Sequence, residues 1–230
     1  MYSRLMACAF FLTAFLMNHV HAGEPRNGSC YDSNQAAFYI QTFNIQTAKF
    51  RHADDLCSPK NELLSFFAAL DFIAGLQFNQ QVTRPVMPGL VSYDYFLFLR
   101  ENIKSVVKES HSEADGGMDP KTGELALGAG FIKNSNLIER AGVLVHEARH
   151  HTKTNNGYEH VKCRGGEFRG VYACDPSFRT GGAYAVEVEF LARIFYSAIG
   201  IDAELKTAAR TTAVHTLDGN FLNPEVSFED

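Results

Sequence analysis

The chain has 230 residues, 46% hydrophobic and 20% charged, with a formal net charge of −5 and no tryptophan. That length and apolar content suit one sizeable core. A mildly acidic balance with no basic run argues against nucleic acid as a partner.

Residues 1–22 are expected to be a secretory signal peptide. Arg4 supplies a positive start, Leu5 to Met17 form an uncharged apolar core, and Val20-His21-Ala22 places short residues where a signal peptidase reads. The apolar run, about 13 residues, is too short to span a bilayer core of about 30 Å. No later segment reaches the roughly 18 uncharged apolar residues that a membrane span needs. A mature protein is therefore expected over residues 23–230, secreted or periplasmic and without stable membrane insertion. Cys8 would leave with the leader. The remaining Cys30, Cys57, Cys163 and Cys174 are an even set without a C-x-x-C pair, so disulfides are expected rather than a cysteine metal site. Of three pairings, Cys30–Cys57 and Cys163–Cys174 are favoured because each closes a short local loop.

In chain order, Phe38 to Ile45 reads as a strand without clean alternation. Asn61 to Gln80 carries Leu64, Phe67, Leu70, Ile73 and Leu76 at helical spacing. Asn79 to Gly89, with two prolines, is a connector. Ser92 to Glu109 reads as another helix, capped by Ser92 or Asp94. The aromatic residues of these two helices are expected to pack in the core. Asp115 to Gly123 is dense in turn residues and reads as a loop. Glu124 to Ile132 is short and apolar, a strand whose glycines invite close backbone approach. Asn136, with Glu139 three residues on, opens a helix in the manner of a capping box. That helix runs to about Lys153 and stops at Asn155-Asn-Gly157. A loop of about 25 residues then holds Cys163 and Cys174. Two further helices are expected, one from Gly182 to Gly200 and one from Asp202 to about Thr216. The class is mainly α with a small β-element, α+β. Asn27-Gly28-Ser29 matches a glycosylation acceptor, meaningful only in a eukaryotic secretory pathway.

Within the capped helix, Val143-Leu-Val-His-Glu-Ala-Arg-His-His151 places His146, Glu147 and His150 in the spacing H-E-x-x-H. Composition alone predicts roughly 0.02 occurrences of this pattern in such a chain. Residues four apart on a helix lie about 40° apart and one turn along, so one metal ion can bridge both imidazoles. Glu147, about 100° round from His146, can address a ligand of the metal rather than the metal itself. Zinc with three protein ligands acidifies a bound water, and a neighbouring carboxylate can move its proton. Leu137, Ala141, Leu144, Val145 and Ala148 form the core face of the helix, and two histidines and a glutamate there are costly to bury unpartnered. The competing reading is two structurally satisfied histidines. Arg149 and His151 point away and are expected to be exposed or paired with carboxylates.

These residues resemble the zincin metallopeptidases of the gluzincin-like kind. The resemblance rests on His146, Glu147 and His150, carried on a helix and preceded by a strand, from Glu124 to about Tyr196. It implies a zincin-like domain with a helical part over residues 23–118 and a catalytic part over residues 119–216. It implies Zn2+ as cofactor, a peptide or protein substrate, Glu147 as general base, and a third ligand farther on. Lys153 and Asn156 occupy the positions where a metzincin would carry glycine and histidine, which argues against that subgroup. Glu187, on the buried face with Leu191, Ile194 and Ala198, is the favoured third ligand; Glu189, one helical turn from Arg193, suits a solvated surface. His160 is the alternative third ligand and Asp175 stands behind both. Tyr184, on the side of Glu187, has a hydroxyl able to stabilise an oxyanion, or it is a packed aromatic. By family analogy, the strand from Leu125 to Phe131 is an edge that takes an extended peptide. The reading from another class is an exported zinc-binding protein without catalysis, its site closed by four protein ligands.

Overall fold

The computed structural model describes residues 30–82, 90–109, 114–133, 136–152, 159–223 and 225–226. The expected leader, the Asn27-Gly28-Ser29 acceptor, both prolines of the connector and the Asn155-Asn-Gly157 helix stop lie outside these residues.

The first element is a helix, α1 (Ser33–Thr42), where a strand over Phe38 to Ile45 was expected. Asp32 caps it by accepting the Gln35 N–H at 2.8 Å. Ala36, Tyr39 and Phe43 then fall on one side and are fully buried. Helical phase and an N-terminal cap thus outweigh the β-propensity of the aromatic run. Helix α2 (Leu64–Gly75) buries Phe66, Phe67, Leu70, Phe72 and Ile73. It ends five residues short of Gln80 because Gln77–Phe78 become strand β1.

Helix α3 (Tyr95–Asn102) is capped by Asp94, which accepts the Leu97 N–H. It too is shorter than expected. The residues after it form β2 (Ser105–Lys108), whose adjacent valines favour a pleated surface. The stretch read as a turn-rich loop contains β3 (Gly116–Met118). β4 (Glu124–Leu127) follows and gives way early to a short helix, α4 (Ala129–Lys133). The sheet order is β2-β4-β3, with β2 parallel and β3 antiparallel to β4. β4 is therefore central, which corrects its expected role as a peptide-binding edge. The edges are β2 and β3. Close backbone approach occurs at Gly116, where a Cβ would lie 3.0 Å from the Ala126 carbonyl oxygen.

Helix α5 (Leu137–His150) begins with the capping box read from Asn136 and Glu139, both hydrogen bonds present. It is the central helix: Ile138, Ala141, Leu144, Val145 and Ala148 are buried, and it packs on α2, α3 and the next long helix, α6 (Ala183–Ser197). Between α5 and α6, the disulfide-bearing segment is less irregular than expected. It supplies β5 (Val161–Lys162) and β6 (Tyr172–Ser177). After α6, β7 (Ala198–Ile199) pairs with β1, and α7 (Ala203–Gly219) leads into β8 (Phe221–Asn223). β8 runs parallel to β6, completing a second three-stranded sheet of order β5-β6-β8. Seven α-helices and small sheets among the described residues make the fold α+β.

Both expected disulfides form, Cys30–Cys57 and Cys163–Cys174, closing loops with sequence separations of 27 and 11. On the chain-entropy model each contributes roughly 3 kcal/mol. They fit an oxidising compartment. No helix of the described residues is long and apolar enough to cross a membrane.

Candidate metal centre

Three histidines converge on one point from two elements. His146 and His150 lie one turn apart on α5, with their Nε2 atoms 3.3 Å apart. His160 comes from the residues just before β5 and brings its Nε2 to 3.2 Å from that of His146. One ring nitrogen from each of the three lies within 4.8 Å of the others, a group able to hold a metal ion. Nitrogens bound to one tetrahedral zinc at 2.0–2.1 Å stand about 3.3 Å apart. The two separations from His146 Nε2, 3.2 and 3.3 Å, are of that size.

The other face of the rings supports the same reading. Nδ1 of His146 lies 3.1 Å from Glu187 Oε2, and Nδ1 of His160 lies 3.2 Å from Asp175 Oδ1. Where these carboxylates are ionised they only accept, which puts a proton on each Nδ1 and leaves the Nε2 lone pairs free for the shared point. An Nε2 that carries a proton hydrogen-bonds its neighbour at this distance; with all three unprotonated the facing lone pairs repel, and a cation relieves them. Burial, then the His160 charge, pushes His146 down to about 3. Burial, then the Asp175 charge, pushes Glu187 up to about 8. In the metal-free protein the ring proton of neutral His146 then sits on Nε2, and Nδ1 accepts the carboxyl proton of Glu187. Positive charge at the Nε2 side draws that proton onto Nδ1 and leaves Glu187 anionic, the carboxylate–histidine–metal pattern.

Glu187 is thus buried on the face expected, but it meets the back of His146 instead of joining the Nε2 group. His160, the alternative, supplies the third nitrogen, and Asp175 holds His160. All three candidates surround the same point in different roles. Two glycines make the room. A Cβ at Gly142 would lie 3.3 Å from Glu187 Oε1, and one at Gly182 would collide with both carboxylate oxygens of Asp175. Asp175 is buried, and its Oδ2 accepts the Ala185 N–H in the first turn of α6, a capping role that Gly182 has no side chain to perform. The dipeptide Gly181-Gly182 before a long apolar helix was the available sequence signal for this arrangement. It implied a close neighbour without naming Asp175.

Glu147 is buried, on a helix packed against β3. Burial, then the charge of Glu187, pushes it up to about 7. The Tyr184 ring packs on His146 at 4.3 Å and on His160 at 4.7 Å between centroids. Its packing role is thereby plain, and burial together with the Glu187 and Asp175 charges raises its hydroxyl pKa.

Two peripheral expectations are corrected. Glu189 does not face solvent: it is 1% exposed, pairs with Arg193 and accepts the Leu90 N–H at 2.8 Å. The i,i+4 spacing was sound, but the segment beginning at Leu90 covers it. Arg149 is buried as well, donating from Nε to the Gly181 carbonyl at 2.8 Å, and so ties the ligand helix to the start of α6. His151 sets a ring nitrogen 3.0 Å from the Pro120 carbonyl oxygen.

No protein-family model matches the chain, and neither a curated protein nor a solved structure matches it.

Proposed function

We propose that the chain is an exported zinc-dependent metallopeptidase of the zincin type. The observation that carries this reading is the convergence of three imidazole nitrogens beside Glu147, with two of the rings backed by carboxylates. His146, His150 and His160 would hold the ion. Zinc bound by three protein ligands keeps an open position, where it supplies a Lewis acid for a carbonyl and a water of lowered pKa.

The remaining roles belong to the chain. Glu187 and Asp175 fix the tautomers and orientations of His146 and His160. Glu147, one residue past His146, takes a proton from the attacking water and returns it to the departing amine. β3, the edge strand that carries Met118, offers backbone groups to an extended peptide alongside Glu147. Tyr184 shields one side of the two rings.

A structural zinc site without catalysis is the second reading. Such sites are closed by four protein ligands. Among the described residues, the group able to hold an ion has three members; a fourth protein ligand on the bound ion would favour this second reading, a bound water the enzyme. The test is zinc content and general proteolysis of the wild type, Glu147→Gln and His160→Ala. Zinc retained with proteolysis lost in Glu147→Gln supports the reading. A wild type that binds no zinc, or a Glu147→Gln variant that cleaves normally, overturns it.

A further inference from the structure

The Cys163–Cys174 disulfide stands in an unusual relation to the three histidines. Cys163 is three residues past His160, and Cys174 is adjacent to Asp175, the carboxylate that holds His160. One covalent bond therefore joins the segment that runs from His160 through β5 to Cys163 to the strand bearing its partner. We infer that this disulfide is the positioning device for His160, so that tight metal capture is conditional on oxidation of Cys163 and Cys174. The inference rests on the metal-binding part of the proposed function and not on its chemistry.

The two sides of the hairpin are anchored very differently. β6 is tied to the body without the disulfide. It pairs with β8 through Asp175 and Ser177, and the Asp175 N–H donates to the Asn220 carbonyl at 2.9 Å. The Asn220 side chain returns a bond to the Ala173 carbonyl, and Asp175 Oδ2 accepts the Ala185 N–H. β5 has no such support. It is two residues long, among the described residues pairs only with β6, and carries a register irregularity between Val161 and Lys162. The additional bonds of Cys163 go to Gly170 and Val171, in an exposed turn. Val171 and Tyr172 there are 55% and 66% exposed. Segments with so few buried contacts open at low free-energy cost. Without the disulfide, His160 would be held by two strand pairs, the Asp175 contact and its ring contacts with Tyr184 and the α5 histidines, with no covalent tie to β6, while Asp175 stays where it is. The two α5 histidines would remain, one ligand short.

Closure of the bond balances as a thiol–disulfide exchange. The thiolate of one cysteine attacks an oxidised dithiol carrier, and the second cysteine displaces it. The chain loses two protons and two electrons, and the carrier leaves as its dithiol. Reducing surroundings run the exchange backwards and leave the protein unable to compete for zinc. An exported chain would then become metal-competent only after leaving the compartment of its synthesis.

The experiment is a titration of the metal-free full chain with Zn2+ against a chromophoric competitor. The variants are Cys163→Ser/Cys174→Ser and, as the control for losing a disulfide, Cys30→Ser/Cys57→Ser. Serine removes the complication that free thiols themselves bind zinc. The expected result is an affinity about 100-fold weaker in the first variant, the loss associated with disturbed ligand support, and near wild type in the second. Far-UV circular dichroism establishes that the variants fold. If the first does not, the zinc-loaded native protein is reduced and alkylated without denaturant, and release to the chelator is followed; accelerated release supports the inference and unchanged retention overturns it. Equal affinities of the first variant and wild type overturn the inference while leaving the metal site intact. A wild type that does not bind zinc overturns both.

Discussion

Glu187 and His146 meet through one contact, 3.1 Å between Oε2 and Nδ1, and that contact decides which imidazole nitrogen is left for a ligand. Glu187→Ala is therefore expected to weaken zinc binding by about 10- to 100-fold without abolishing it. His160→Ala, which deletes a donor nitrogen, should lose more. Competition titration of both variants separates them. If Glu187→Ala shed all zinc while His160→Ala kept it, the two roles would have to be exchanged.

Glu147→Gln keeps the volume of the side chain and removes only its capacity to carry a proton. Zinc content should stay at the wild-type level while kcat/KM on a generic peptide falls about 10²- to 10⁴-fold. Metal analysis alongside a proteolysis assay checks both halves.

The metal-free protein should have an unusual pH profile. The carboxyls of Glu147 and Glu187 are raised from 4.5 to about 7 and about 8, so above 4.5 the unfolded chain releases protons that the folded chain retains. Stability therefore falls as pH rises from 4.5 to about 8. His146 is lowered from 6.5 to about 3, so below 6.5 the unfolded chain takes up a proton that the folded chain refuses, and stability falls toward acid. Between 4.5 and 6.5 the two carboxyls outweigh the one imidazole, so the melting temperature of metal-free protein should peak near pH 4.5 and decline toward pH 8. Glu187→Gln should flatten the alkaline limb. An unchanged decline in that variant would show that the limb has another source.

Gly182 lies too close to Asp175 for any side chain. Gly182→Ala is expected to cost about 1–3 kcal/mol, the range for overpacking, and for a chain of this size to lower Tm by several degrees. Zinc affinity should fall with it, because Asp175 must move and His160 leans on Asp175. Calorimetry with and without zinc reads both effects. Retention of the wild-type Tm would mean that the carboxylate has somewhere else to go.

Much of this was legible before the structure. The Asn136–Glu139 capping box, the α5 histidines and both disulfides are local or nearly local features, set by spacing along the chain. The errors cluster where tertiary partners decide. Val106 reads as helix by period, yet it enters a strand because β4 is there to pair with it. Glu189 reads as surface because only its own helix is visible in the sequence, whereas Leu90 arrives from 99 residues away. The choice between Glu187 and His160 belongs to the same kind. Both sit in suitable places, and which one presents a donor to the shared point depends on how β5 folds back over α5.

Asp175 divides its two oxygens between a ring and a backbone: Oδ1 faces His160, and Oδ2 accepts the amide of Ala185. Any tightening of His160 is therefore felt at the first turn of α6, through a single rigid carboxylate. That makes the Ala185 amide a built-in gauge of the site. Its deuterium exchange should slow when the histidines are engaged and quicken when they are released, even in a variant that can no longer turn over a substrate.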